Sequence, residues 1–223
     1  TGSLTGFEIG KNDRSNKFII PEKLYGRKDE LSLLHKVYEE IVVGKCELFL
    51  ISGSSGIGKT SLINEINKTT FHRNGYFIAG KFDQFKSNIP FNGFALAFTD
   101  LFQQLVSESK HKIEHVKKQL NDVLGLNASV LLALMPQFSF FLGNKSVPKE
   151  LNPAESQNRF FFTLRDFISV FATSEHPLTI FLDDLQWADD ASLKLLKEVI
   201  TKEIPHLLIL GAYRNNEVNA LHP

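Results

Sequence analysis

The sequence predicts an α/β fold in three layers, with a mainly parallel sheet and a large helical insertion. Three observations predict it. Short apolar runs alternate with segments of helical period, a glycine-rich turn joins the first run directly to a helix, and a long helical stretch separates the second run from the third. Residues 1–21 are polar and Gly-rich apart from Phe7, Phe18, Ile19 and Ile20, and read as a linker or N-terminal extension; the compact part is placed at 22–223. Leu31, Leu34, Val37, Tyr38, Ile41 and Val42 recur at spacings of three and four, an amphipathic helix that ends at Gly44. Glu47 to Ser52 is a short buried strand, Thr60 to about Thr70 a second helix, and Tyr76 to Phe82 a second strand. Four or more helices follow, carried by stripes such as Phe91, Phe94, Phe98, Leu101, Phe102 and Leu105, or Phe160, Phe161, Leu164, Phe167, Ile168 and Phe171. Strands return at Leu178 to Leu182 and Leu207 to Tyr213, with a helix from about Ala191 to Ile204 between them.

The composition narrows the function classes. The chain has 223 residues, enough for one large domain or two small ones, and its 43% hydrophobic and 22% charged content is that of a globular protein. Its 25 basic and 25 acidic residues cancel, so no global field draws it to nucleic acid or to an anionic membrane. The single cysteine, Cys46, makes no intrachain disulfide, and no apolar run reaches the roughly 18 to 20 residues of a bilayer span. We expect a cytoplasmic chain without membrane insertion. Met135 is the only methionine and the first residue is Thr1, so a piece of a longer protein is expected. The 20 phenylalanines fall largely on the helical stripes; core packing explains them, and a groove for a protein partner is the alternative.

The chemistry concentrates in Gly53-Ser54-Ser55-Gly56-Ile57-Gly58-Lys59-Thr60, which fits the phosphate-binding loop G-x-x-x-x-G-K-[ST] at every fixed position. It follows an apolar strand and opens a helix, the context the motif requires. Glycines let the backbone turn several N–H groups onto one polyphosphate, and the helix dipole adds positive potential. Lys59 is expected to reach the terminal phosphates and Thr60 to ligate Mg²⁺, with Ser61 in the first helical turn beside them. Such a site needs an acidic partner at the end of a neighbouring strand, and Thr179-Ile180-Phe181-Leu182-Asp183-Asp184 supplies it. Asp183 is expected to hold the Mg²⁺ shell, and Asp184 either polarises an attacking water or is structural. Arg214, ending the LLILGAY strand, either senses the γ-phosphate or forms a surface ion pair. Gln186, Trp187 and Asp189 read at least as well as packing and capping groups. The histidines and Cys46 show no metal-ligand spacing, so no metal beyond nucleotide-bound Mg²⁺ is implied.

With these blocks in view, the sequence resembles the signal-transduction ATPases with numerous domains, within the AAA+ and Orc1-like class of P-loop NTPases. It is most similar to the ATPase module of large multidomain serine/threonine and histidine sensor kinases. Besides the phosphate loop, Lys23-Leu24-Tyr25-Gly26-Arg27, Gly80-Lys81-Phe82-Asp83-Gln84-Phe85 with Ile89-Pro90-Phe91, HPLTIFLDDLQWAD and Gly211-Ala212-Tyr213-Arg214-Asn215-Asn216-Glu217 carry the resemblance. It implies that Tyr25, Gly26 and Arg27 border the adenine, that Asp183 and Asp184 are the Walker B pair, and that Arg214 is a sensor. Catalytic roles fall to Asp184, Lys59 and Arg214. The Lys81 to Gln84 block stays open between packing and a substrate or partner contact. The chain stops at Leu221-His222-Pro223, before the helical lid and winged-helix segments usual in this class.

The expected function is a regulatory switch that binds ATP or ADP with Mg²⁺ and slowly converts ATP to ADP and phosphate, governing flanking signalling domains. A nucleotide-stabilised interaction scaffold is the alternative. The neutral charge argues against DNA binding. GTPase and transporter readings lack their N-K-x-D and L-S-G-G-Q-like signatures.

Overall fold

A computed structural model describes residues 27–54, 56–86, 89–143 and 152–218; the proposed linker at 1–21 lies outside them. The element order is α1 (Lys28–Val42), β1 (Cys46–Ser52), α2 (Lys59–His72), β2 (Tyr76–Lys81), α3 (Asn92–Val106), α4 (Lys110–Leu124), α5 (Ala128–Leu132), α6 (Ser139–Leu142), α7 (Pro153–Phe171), β3 (Leu178–Asp183), α8 (Asp190–Thr201) and β4 (Leu207–Tyr213). The four strands form one parallel sheet in the order β1-β4-β3-β2. This is the α/β fold of a P-loop NTPase, with α3 to α7 as the insertion between β2 and β3.

Strands covered on both faces read as continuous apolar runs, and β4 is buried from Leu207 to Ala212. Alternate side chains serve different layers. Leu208 and Leu210 face α1 and α2, where they meet Leu34, Tyr38, Ile41, Leu62, Ile63 and Ile66. Leu207 and Ile209, with Ile78, Ile180 and Leu178, face the insertion and α8. That second cluster is far larger and is built around aromatic edge-to-face contacts, with Phe167 packed at 5.4 Å from Phe98 and 5.1 Å from Phe138. None of the phenylalanines on the two helical stripes named above is exposed. Core packing, the first of the two readings, accounts for them.

Three of the helices start where a side chain satisfies one of their first N–H groups. Ser109, Asn152 and Asp189 accept from Lys112 N, Glu155 N and Ser192 N at the heads of α4, α7 and α8, and Pro153 occupies the first turn of α7. α3 lies directly on β2, an approach that Gly80 permits, because a Cβ there would collide with the Gly93 carbonyl. Its side chains also close the outer edge of β2. Asp100 Oδ2 accepts from Ala79 N at 3.0 Å, and Gln104 Nε2 donates to Phe77 O at 2.7 Å. Among the described residues no helix is long and apolar enough to cross a membrane.

Because all strands run the same way, Ser52, Tyr213, Asp183 and Lys81 end at one rim of the sheet: Ser52 pairs with Tyr213, and Lys81 with Asp183. Ligands bind at this carboxyl edge in open α/β sheets.

Candidate functional site

The glycine-rich loop leaves β1 at this rim and enters α2. Gly56 (φ 80°) and Gly58 (φ 93°) hold left-handed conformations that an L side chain rarely adopts, and Gly58 is the residue from which α2 departs. The first intrahelical bond runs from Leu62 N to Gly58 O, so the N–H groups of Lys59, Thr60 and Ser61 form the unsatisfied first turn. Lys59 folds back over its own loop and donates from Nζ to Gly53 O (2.5 Å) and Ser54 O (3.0 Å). Arg27 braces the loop from outside, its guanidinium donating to Ile57 O at 2.7 Å. The resemblance expects Arg27 to border the adenine, and the side chain rests on the loop backbone. Tyr25, Gly26 and Ser55 lie outside the described residues.

Across the rim, β3 delivers the two carboxylates. Asp183 is half-buried, and Asp184 is 5% exposed with a left-handed backbone (φ 52°, ψ 47°). That conformation costs a non-glycine residue energy, and it turns the Asp184 side chain into a polar cluster. Gln186 Nε2 donates to Asp184 Oδ1 at 2.9 Å, and Arg214 N donates to Gln186 Oε1 at 3.1 Å, so Gln186 ties the end of β3 to the end of β4. The Arg214 guanidinium pairs with Asp184 Oδ1 (3.4 Å) and Glu217 (2.9 Å) and lies over the Trp187 ring. Burial pushes the Asp184 carboxyl up, but the Gln186 amide, Lys81 and Arg214 more than offset it and hold it below the usual carboxylate value. Asp184 is therefore an ionised, paired carboxylate. Arg214 is raised chiefly by its hydrogen bond to Glu217, then by the two aspartates. Asp189 caps α8 and also accepts from Phe91 N, as the capping reading expected.

The structure adds a residue that the sequence left without a role. Lys81 Nζ lies 2.9 Å from Asp184 Oδ2 and 3.8 Å from Asp183 Oδ2. Its ammonium is raised, first by its bond to Asp184. In the rest of its sequence block, Phe82 is buried against Gly93, and Asp83 Oδ1 accepts from Phe85 N. The signal available in the sequence was positional, since a lysine ending the second parallel strand must share a rim with an aspartate ending the third.

One cavity of about 260 Å³ gathers these groups, lined by Gly56, Gly58, Lys59, Thr60, Lys81, Phe181, Asp183, Asp184, Ala212 and Arg214. Gly53, Ser54 and Ile57 of the loop and Ser61 of α2 do not line it. Three cationic side chains face two carboxylates, an excess that fits an anionic ligand. Among the described residues no group of three or more His, Cys, Asp or Glu is placed to hold a metal. A hydroxyl and a carboxylate, Thr60 and Asp183, suit a hard cation that takes its other ligands from phosphate and water.

Comparison with known proteins agrees with this geometry. The AAA ATPase domain family matches residues 23–210. Hybrid signal transduction histidine kinase G of Dictyostelium discoideum is 38% identical over 194 residues, covering 87% of this chain and 6% of that protein. Histidine protein kinase 1 of Candida albicans is 25% identical over 198 residues (81% of this chain, 8% of the relative), and peroxide stress-activated histidine kinase mak2 of Schizosaccharomyces pombe is 25% identical over 184 residues (74% and 8%). The chain thus spans less than a tenth of the length of these relatives.

Proposed function

This chain belongs to the AAA ATPase domain family, and from that premise we propose that it is a regulatory switch: it binds Mg-ATP, hydrolyses it slowly, and passes the state of its site to flanking signalling domains. The observation that carries this reading is the convergence of the glycine loop, the two aspartates and Arg214 on one cavity at the carboxyl edge of the sheet. The loop N–H groups and the head of α2 would bind the polyphosphate, and Lys59 would exchange the Gly53 and Ser54 carbonyls for phosphate oxygens. Thr60 and Asp183 would hold Mg²⁺, which when bound neutralises phosphate charge. Asp184 would orient water, positioned by Gln186. Arg214 would report the terminal phosphate, since it is joined to Asp184, Gln186 and Glu217 at the end of β4. The carboxylates and the loop would cover the polyphosphate end, and Arg27, bound to Ile57 O, would brace the loop and border the adenine with Tyr25 and Gly26.

The resemblance of the chain to signalling histidine kinases supports the regulatory part of the proposal. The scaffold alternative draws on a phenylalanine surface over the inserted helices, where the two stripes pack inward while Phe140 and Phe162 stand half exposed. Equilibrium binding of ATP and ADP, with and without Mg²⁺, tests the proposal. We expect Mg-dependent binding that weakens roughly tenfold or more in Lys59→Ala. Equal binding by parent and variant would place the nucleotide elsewhere. Turnover that Asp184→Asn abolishes separates a hydrolytic switch from a nucleotide-stabilised scaffold.

A further inference from the structure

Resting on that nucleotide-site reading, we propose that Lys81 is a ligand of the terminal phosphate and the residue by which the site tells ATP from ADP. Its backbone is fixed. Gly80 sits against the Gly93 carbonyl, Phe82 is buried, and the β2–β3 register sets Lys81 opposite Asp183. Its tip is not, because the side chain is 59% exposed and, among the described residues, is held by two carboxylates. The other two cations of the cavity are engaged elsewhere as well: Lys59 with the carbonyls of its own loop, Arg214 with Glu217 and the face of Trp187.

The two carboxylates that hold Lys81 are the ones assigned to the metal shell and to the water. A cation arriving at Asp183 takes half of the counter-charge of Lys81 and repels its ammonium. The nearest new anion is the phosphate that the water beside Asp184 would attack, because a group 2.9 Å from Asp184 borders the same reacting centre. Lysine suits the exchange, being a compact charge on a flexible four-carbon stem. ADP offers no anion at that position, so with ADP the ammonium stays on Asp184.

Calorimetric titration of the 223-residue chain with Mg-ATP and Mg-ADP tests this, using the parent, Lys81→Met and Lys81→Arg. We expect Lys81→Met to weaken Mg-ATP roughly tenfold or more while Mg-ADP stays within about twofold, and Lys81→Arg to recover part of the loss. Retained ADP binding also certifies that Lys81→Met is folded. Equal weakening of both nucleotides, no change, or tighter ATP binding would overturn the proposal, the last by making Lys81 a mere competitor of the metal. As a measurement on the parent protein, amine modification of Lys81 is expected to slow with Mg-ATP and not with Mg-ADP; equal protection by the two also overturns it. Binding of neither nucleotide by the parent would instead remove the nucleotide-site reading itself, and this proposal with it.

Discussion

The two faces of the sheet are built for different work. On one face α3, α4, α7 and α8 bury a deep aromatic core, with Phe94, Phe98, Phe138 and Phe167 almost fully enclosed. On the other, α1 and α2 cover a thinner cluster, and the paired hydroxyls of Thr70 and Thr179, 3.2 Å apart, replace an apolar contact between α2 and β3. The phosphate loop runs into α2 on the thin side, whereas β3 and β4 are covered from both. The difference teaches that the carboxylates and Arg214 are mounted on strands buried from both faces, whereas the loop leads into a helix that covers the thinner one.

The strongest way to break this contrast is to remove a ring from the thick side. Phe167→Ala deletes a side chain that is 0% exposed and touches Phe98, Phe138 and Phe171, and should cost about 3 to 5 kcal/mol in denaturant unfolding. An effect below about 1 kcal/mol would mean that the aromatic core is not what holds the sheet. A second test moves to the rim. The Asp184 carboxyl is held below its ordinary value in the folded state, so its ionised form stabilises the fold above about pH 4 and that contribution is lost as pH falls through the depressed value. The parent should therefore exceed Asp184→Asn by on the order of 1 kcal/mol near neutral pH, with the gap closing in acid. A gap that widened below pH 4 would contradict the pairing with Gln186, Lys81 and Arg214. The smallest effect sharpens the comparison. Phe85 is 90% exposed on the turn after β2, and Phe85→Ser should leave unfolding within about 0.5 kcal/mol of the parent, since a phenylalanine outside both cores contributes little.

Periodicity made most elements legible, because long helices and buried strands impose it on their own residues. The helix read from Arg27 to Val43 and the strands read at Leu178 to Leu182 and Leu207 to Tyr213 agree with the structure within a residue. α5 and α6, with 5 and 4 residues, are too short to show a period and were folded into a general helical stretch. The phosphate loop and the acid pair were legible because each is contiguous. The Lys81 contact was not, for it joins residues a hundred positions apart and exists only through strand pairing. The role of Gln186 escaped for a similar reason: its partner at Arg214 is a backbone N–H, which no residue identity reveals.

The side chains that cap the outer edge of β2 have a consequence for how the domain can grow. An open strand edge invites a visitor, whether a second copy or a stray segment, to add itself by backbone hydrogen bonding. Asp100 and Gln104 occupy those backbone groups from within, so growth by strand addition on that side would require α3 to be pried away. That margin of the sheet is sealed from within, and a polypeptide that would lengthen it there has first to displace a helix.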